Sequence, residues 1–483
     1  MLFNSFQFAI FFLTFLTLFF STPRSGRPVL LLIASYMFYA GWRPSFLVLL
    51  IATTLVDYAA ARLIDSTERR SIRIAGLAAS LAVNLGLLGT FKYLDFLLSN
   101  VVGTAGFFGL ELPPLAVNLI LPVGISFYTF QSVGYIIDVY NRRFPAERNL
   151  LFYAIYVAFF PQLVAGPIER ASHMIAQCKA LRPTSPERIA TGLWLIGWGL
   201  FKKMCVADFV APFVNGVYAE PAAFSGSFTL LATIFFAIQI YCDFSGYSDI
   251  AIGVARIMGF DLMINFRQPY FARSLTDFWR RWHISLSTWF RDYLYVPLGG
   301  SRTTTALWVR NTVLVFAVSG LWHGANWTFL IWGLLHGTAL VGEGLVARRA
   351  PAVGGIMPAA RATWNPRAML GVIYTLTVVL VGWVFFRAKS VGDALHVLGS
   401  WASPGPLSYG TFKLLDLPSV ELAVLCAHLI VLIAVEATLV HRPETFARLR
   451  QSWALSTAAA VALFYDIALF GVFGSIDFVY FQF

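Results

Sequence analysis

Long apolar stretches separated by short basic loops run the length of the chain. Stretches with few or no charges cover residues 2–20, 28–41, 44–61, 74–91, 115–137, 189–215, 227–255, 307–346, 368–386, 419–439 and 452–473, with a shorter one at 150–166. Most have the length at which a helix crosses a hydrocarbon core, roughly twenty residues. None shows the alternation of a transmembrane β-strand, so the pattern predicts an all-α polytopic membrane protein. The run 2–20 precedes the first charge, Arg24, and lacks the basic leader of a secretory signal, so it reads as a retained transmembrane helix.

The loops supply an orientation. Arg24 and Arg27, then Arg62, Arg69, Arg70 and Arg73, then Arg142, Arg143 and Arg148 fall in every second loop. The loops around Gly41 and from 92 to 114 carry few Lys or Arg. The positive-inside rule therefore puts the N-terminus outside the cytoplasm. Continued alternation places 167–188, 256–302, 347–367 and 440–451 inside, and 216–226, 387–418 and the C-terminal FVYFQF outside. This closes only if 307–346 enters and leaves on one side, as a hairpin or a broken pair of spans.

Composition sharpens the class. Of 483 residues, 58% are hydrophobic and 12% charged, with mean hydropathy +0.71; a soluble domain carries about twice that charge. The net charge of +11 is explained by basic cytoplasmic loops and gives no reason to invoke nucleic acid. Cys178, Cys205, Cys242 and Cys426 lie far apart, without a CxxC pair or a neighbouring His, so neither a disulfide framework nor a metal site is indicated. Nucleotide P-loop, GxSxG, HExxH and dinucleotide fingerprints are absent from the sequence.

Three regions depart from plain lipid-facing helix. Residues 150–167 are short for a span, contain Pro161 and end in Gly166-Pro167, which suggests a re-entrant element packed within protein. Near the end of the 227–255 run, Asp243 and Asp249 accompany Ser245 and Ser248; intramembrane carboxylates are functional candidates, with a structural hydrogen-bonding role equally open. The third region, 275–302, reads as one amphipathic interfacial helix, with Trp279, Trp282, His283, Leu286, Trp289, Phe290 and Tyr293 on one face and Arg280, Ser287 and Arg291 on the other. Interface anchoring accounts for most of these residues, but an imidazole among tryptophans also suits a desolvated catalytic group.

Of seven histidines, His173, His396, His428 and His441 read as structural or solvated. His323 differs, because it lies in AVSGLWHGANW between the two apolar legs of 307–346, flanked by Gly320, Gly324, Trp322, Asn326 and Trp327. A neutral imidazole there can take a proton from an attacking hydroxyl and return it to a leaving group. On one continuous helix the thirteen residues to His336 separate the two rings by roughly 20 Å. That makes His336 a packing or tunnel-lining residue unless the helix breaks at Gly333.

Six segments in order then become recognisable: LPVGISFYTFQSVGYIIDVY (121–140), FFPQLVAGPIER (159–170), YCDFSGYSDIAIGVARIMGF (241–260), FWRRWHISLSTWFRDYLYVPLGG (278–300), SGLWHGANWTFLIWGLLHG (319–337) and YFQF (480–483). The sequence resembles the membrane-bound O-acyltransferase (MBOAT) family, in its bacterial polysaccharide branch, over nearly the whole chain. The resemblance implies one membrane domain over 1–483 with ten to twelve transmembrane helices plus re-entrant and interfacial helices around a central tunnel. Its catalytic core spans about 115–346, completed by N-terminal helices within 1–98 and C-terminal helices within 368–473. It also implies His323 as the catalytic residue and His283 as the second polar member of the site.

Function follows as an expectation from that resemblance. An acyl group, acetyl above all, passes from acetyl-CoA or another cytoplasmic acyl thioester across the bacterial inner membrane to a secreted polysaccharide, with alginate the first choice. A periplasmic acetyltransferase partner protein receives the group or finishes the transfer, and no metal takes part. Arg280, Arg281 and Arg291 are candidates for the donor's phosphates. Asn326 and Trp322 support the site, and His283 or Asn326 stabilises the oxyanion. The alternatives are D-alanyl or other acyl transfer to teichoic acid or cellulose by the same fold, and a non-enzymatic polysaccharide-export or transport subunit.

Overall fold

A computed structural model describes residues 1–349, 366–445, 448, 452–474, 478 and 479; the closing YFQF and most of the 347–367 loop lie outside them. The regular structure among the described residues is helical throughout. Eight helices are long and apolar enough to cross a membrane: Pro44–Asp65, Arg70–Phe107, Gly226–Ile257, Thr305–His323, Trp327–Ala347, Pro366–Arg387, Ser419–His441 and Trp453–Phe470. Phe6–Ser21 and Arg27–Ala40 are shorter apolar helices. In a medium without water only a helix satisfies its own backbone, so each apolar run becomes one unless a polar group interrupts it.

Besides 150–166 and 307–346, two runs are interrupted. In 115–137 only the helix Ile125–Tyr140 forms, preceded by non-helical chain. In 189–215 the chain passes from Pro186–Leu200 through a π-helical turn, Phe201–Ala207, into Asp208–Ala219. The wider turn brings Lys202 and Lys203 inward, where both are buried.

Two compact units divide the chain: residues 1–193 with 251–263, and residues 194–250 with 264–483. In the first, Phe11, Phe15 and Phe38 surround Phe160 with ring centroids 5.5, 5.5 and 5.7 Å away. Residues 150–166 are accordingly packed inside protein, as Leu150–Ala158 and Phe160–Leu163, with every residue from Tyr153 to Leu163 buried. The break between these helices is served by buried polar groups: the Phe160 amide donates to Ser35 Oγ at 3.2 Å, and Gln162 Nε2 to the Tyr156 carbonyl at 2.6 Å.

In the second unit, Thr305–His323 and Trp327–Arg349 form the hairpin that the charge alternation requires, reversing over residues 324–326. The two backbones approach closely because glycines face each other. A Cβ on Gly320 would lie 2.2 Å from the Phe329 carbonyl, and one on Gly333 2.2 Å from the Phe316 carbonyl. Helix association in lipid depends on such close packing.

Candidate active site

The segment 275–302 is not one helix. Leu275–Arg281 and Ile284–Phe290 are separate, and His283 between them adopts a left-handed conformation, φ 43° and ψ 54°. A non-glycine residue there costs on the order of 1–3 kcal/mol and persists only when its surroundings enforce it. Asn265 enforces it here: its carbonyl accepts from the Ile284 amide at 2.9 Å, and its Oδ1 accepts from the Ser285 amide at 3.3 Å and hydroxyl at 2.6 Å. Asn265 Nδ2 in turn donates to Ser248 Oγ at 3.3 Å. The single amphipathic face expected of this region is therefore split at His283, whose ring turns into the protein and is fully buried. Phe244 meets it edge-on at 4.6 Å. Burial pushes the His283 imidazole down to about 3, so it is neutral near pH 7.

His323 is the last residue of its helix and is 5% exposed. Trp322, Trp332 and Phe386 surround it at 4.8, 4.9 and 5.2 Å. Trp322 also reaches His283 at 6.2 Å, so one indole joins the two imidazoles and holds them within about 11 Å. His336 also packs against Trp332, at 5.1 Å, and against Trp279 at 5.2 Å. The expected 20 Å between His323 and His336 is corrected to about 10 Å at most, because both lie on Trp332. The chain reverses at Gly324 and not at Gly333, so the two residues do not share one helix.

A cavity of about 710 Å³ opens beside this cluster, lined among others by Trp279, Arg280, Ser287, Arg291, Trp308 and Ser319. Arg280 and Arg291 are exposed and border it; Arg281 does not, and pairs with Asp277 at 2.8 Å. Asn326 caps the second leg of the hairpin, with Oδ1 accepting from the Thr328 amide at 3.1 Å and Nδ2 donating to the Lys389 carbonyl at 3.0 Å. Its amide is committed to the turn.

Asp243 and Asp249 are held in ion pairs. Lys203 lies 2.7 Å from Asp243 and 2.8 Å from Asp208, while Lys202 contacts Asp249 at 2.6 Å and Ser245 Oγ at 2.9 Å. Asp243 also accepts from the Val479 amide at 2.6 Å. The sequence reading missed Lys202, Lys203, Asn265 and Ser285; two adjacent lysines inside an apolar run were the available signal for the first pair. Among the described residues one group has metal-ligand character, Cys205, His428 and Asp466, whose ligand atoms lie within 4.8 Å of one another. His428 Nε2 and Asp466 Oδ1 are 3.2 Å apart, and none of the three lines the cavity.

Many apolar helices, a broken hairpin and buried imidazoles near an arginine-bordered cavity describe a multi-pass membrane protein equipped for group transfer. The chain belongs to the membrane-bound O-acyltransferase family, whose profile matches residues 143–384, and it is a membrane-bound O-acyltransferase. It is 40% identical over 427 residues to the probable alginate O-acetylase AlgI of Azotobacter vinelandii, covering 88% of this chain and 83% of that one. The peptidoglycan O-acetyltransferase of Helicobacter pylori is 37% identical over 76% of this chain and 72% of its own. The teichoic acid D-alanyltransferase of Bacillus subtilis is 30% identical over 45% of this chain and 58% of its own.

Proposed function

We propose that the protein transfers an acetyl group from a cytoplasmic acyl thioester, acetyl-CoA first, for O-acetylation of a secreted polysaccharide, with His323 as general base. The supporting observation is the position of His323, at the break of a hairpin, buried among rings and joined through Trp322 to a second buried imidazole, that of His283. Family membership supports an enzyme and argues against the export-subunit reading. Alginate is the favoured polymer, since relatives named for it match 86–88% of the chain and the D-alanyl relatives 45–55%.

In this reading the donor enters from the cytoplasmic side, with its phosphates near Arg280 and Arg291, which border the cavity, and its acyl end reaches toward His323 past Trp279 and Trp332. His323 removes the proton from an acceptor hydroxyl, of the sugar or of a periplasmic partner protein. The oxygen attacks the thioester carbonyl and a tetrahedral oxyanion forms. An N–H of His283 stabilises that charge; Asn326, engaged in the helix cap, is the poorer candidate. Collapse breaks the C–S bond, and the proton held by His323 returns to the departing thiolate, giving ester and free thiol. Inner-membrane residence with a periplasmic N-terminus puts donor and acceptor on opposite faces.

Two measurements test this. His323→Ala inserts normally into membranes and loses polysaccharide acetylation; near-normal acetylation sinks the assignment. Purified protein turns over acetyl-CoA without a charged carrier protein; strict dependence on a carrier favours the D-alanyl type of donor.

A further inference from the structure

Cys205, His428 and Asp466 converge from three separate elements, the π-helical turn Phe201–Ala207 and the helices Ser419–His441 and Trp453–Phe470. The sulfur, a ring nitrogen and a carboxylate oxygen all lie within 4.8 Å of one another. Around a zinc ion with bonds of about 2.0–2.1 Å to nitrogen and oxygen, a tetrahedral edge measures about 3.3 Å. His428 Nε2 and Asp466 Oδ1 are 3.2 Å apart. The sulfur, with its longer bond of about 2.3 Å, completes the face after a shift of about 1.2 Å at most. The surroundings are apolar: Phe201, Phe209 and Phe470 stand edge-on to the His428 ring at 5.6, 6.2 and 6.0 Å. Cys205 is fully buried and His428 nearly so. A carboxylate beside such a wall is costly unless a positive charge meets it. The two lysines of the π-turn are engaged elsewhere, Lys202 with Asp249 and Lys203 with Asp208 and Asp243. The ion-pair partner of Asp466 is His428, which compensates it only when protonated. Asp466 Oδ2 is buried without a hydrogen-bond partner among the described residues.

We propose that Cys205, His428 and Asp466 bind one structural zinc(II) ion. The donor set selects the metal. Magnesium and calcium take oxygen ligands, whereas a thiolate, an imidazole and a carboxylate at tetrahedral spacing suit zinc. On binding, the Cys205 thiol gives its proton to water. The thiolate and the carboxylate then cancel the two charges of the ion, and the imidazole stays neutral. The filled site is uncharged, which is what an apolar surrounding favours. The fourth position falls to water or to Asp466 Oδ2, on the side where the Asp466 side chain is 30% exposed. None of the three residues lines the 710 Å³ cavity, so the ion stands apart from the acyl-transfer chemistry. Its effect is on the fold: it ties the π-turn that carries Lys202 and Lys203 to two C-terminal helices, beside the bond from the Val472 amide to the Met204 carbonyl at 3.1 Å.

The test reads the metal directly. Full-length protein without a polyhistidine tag is purified in detergent and its metal content is measured by elemental mass spectrometry. One zinc per chain is expected, with at least a tenfold loss in Cys205→Ser and in His428→Gln. Cobalt(II) added to metal-stripped wild type should bind one per chain and give the near-ultraviolet thiolate-to-cobalt absorption, which Cys205→Ser abolishes. Asp466→Asn should weaken cobalt at least tenfold. Thermal unfolding of wild type with and without a chelator guards against a variant that fails to fold. Chelation should lower the melting temperature by several degrees and added zinc should restore it, because the ion binds the folded chain. If Cys205→Ser does not fold, the zinc content, cobalt spectrum and chelator response of wild type decide. Wild type that holds no zinc and shows no saturable cobalt binding overturns the proposal and leaves a hydrogen-bonded group. Thiolate-to-cobalt absorption that persists in Cys205→Ser also overturns it, by placing the metal on another cysteine.

Discussion

Gly320 and Gly333 meet backbone to backbone across the hairpin, the ideal Cβ of Gly320 falling 3.3 Å from the Gly333 Cα. This contact sets how closely the two legs approach, and with it the position of His323 three residues beyond Gly320. Gly333→Ala forces a methyl against the Phe316 carbonyl and should cost about 1–3 kcal/mol of stability, as overpacking does. Acetylation should fall by more than the loss of folded protein explains. Gly342→Ala, on the same helix with nothing within 4 Å of its Cβ, is the control and should leave both unchanged or slightly improved. Equal behaviour of the two variants in thermal unfolding and activity would remove the glycine contact as the cause.

Asn265→Ala deletes the side-chain acceptor that the Ser285 amide and hydroxyl share. The left-handed His283 then loses part of its support. The expected cost is about 2–3 kcal/mol, from a lost buried pair plus desolvation, with activity close to that of a His283→Ala variant. A folded Asn265→Ala enzyme with full activity would show that the Asn265 side chain does not position His283.

Lys203 is the shared ion-pair partner of two buried carboxylates, Asp208 and Asp243. Lys203→Met should destabilise by roughly 3–5 kcal/mol, the penalty for leaving buried charge uncompensated. Adding Asp208→Asn and Asp243→Asn should recover most of that loss. Denaturation of the single and triple variants, compared directly, decides the matter.

Protonation makes an opposing pair of predictions. Unfolded His283 takes up a proton below its ordinary value of about 6.5, whereas the folded residue resists until about pH 3. Acid therefore favours the unfolded chain, and the contribution of this group to stability falls as pH drops from about 6.5 toward 3. His173 has the opposite sign. Its Nδ1 lies 2.8 Å from Glu169 Oε2, and that hydrogen bond raises its pKa. Its contribution is fully present below about 6.5 and is lost as pH rises through the higher folded value. Melting temperatures across pH for wild type, His283→Gln and His173→Gln test both signs; in each variant the corresponding slope should flatten.

The helices were legible because the rule that makes them is local. Twenty apolar residues in lipid have no other way to satisfy their backbone, so the runs 44–61, 227–255, 368–386 and 419–439 each lie within a helix. The hairpin followed from loop arginines, and His323 stood out because glycines and an asparagine break the apolar run around it. Residue spacing was misleading wherever a partner distant in sequence decided the backbone. The 275–302 segment has helical periodicity, but Asn265 holds His283 left-handed and splits it. The apolar run 189–215 opens into a π-turn that carries Lys202 to Asp249 and Lys203 to Asp208 and Asp243.

By itself the sequence determined a multi-pass helical membrane protein, its family and the identity of its conspicuous histidines, because hydrophobic length, charge bias and motif order are properties of adjacent residues. The tertiary structure alone decided which histidines share an indole and which arginines border the cavity. Those relations depend on side chains from separate helices meeting in space, and no spacing along one helix encodes them.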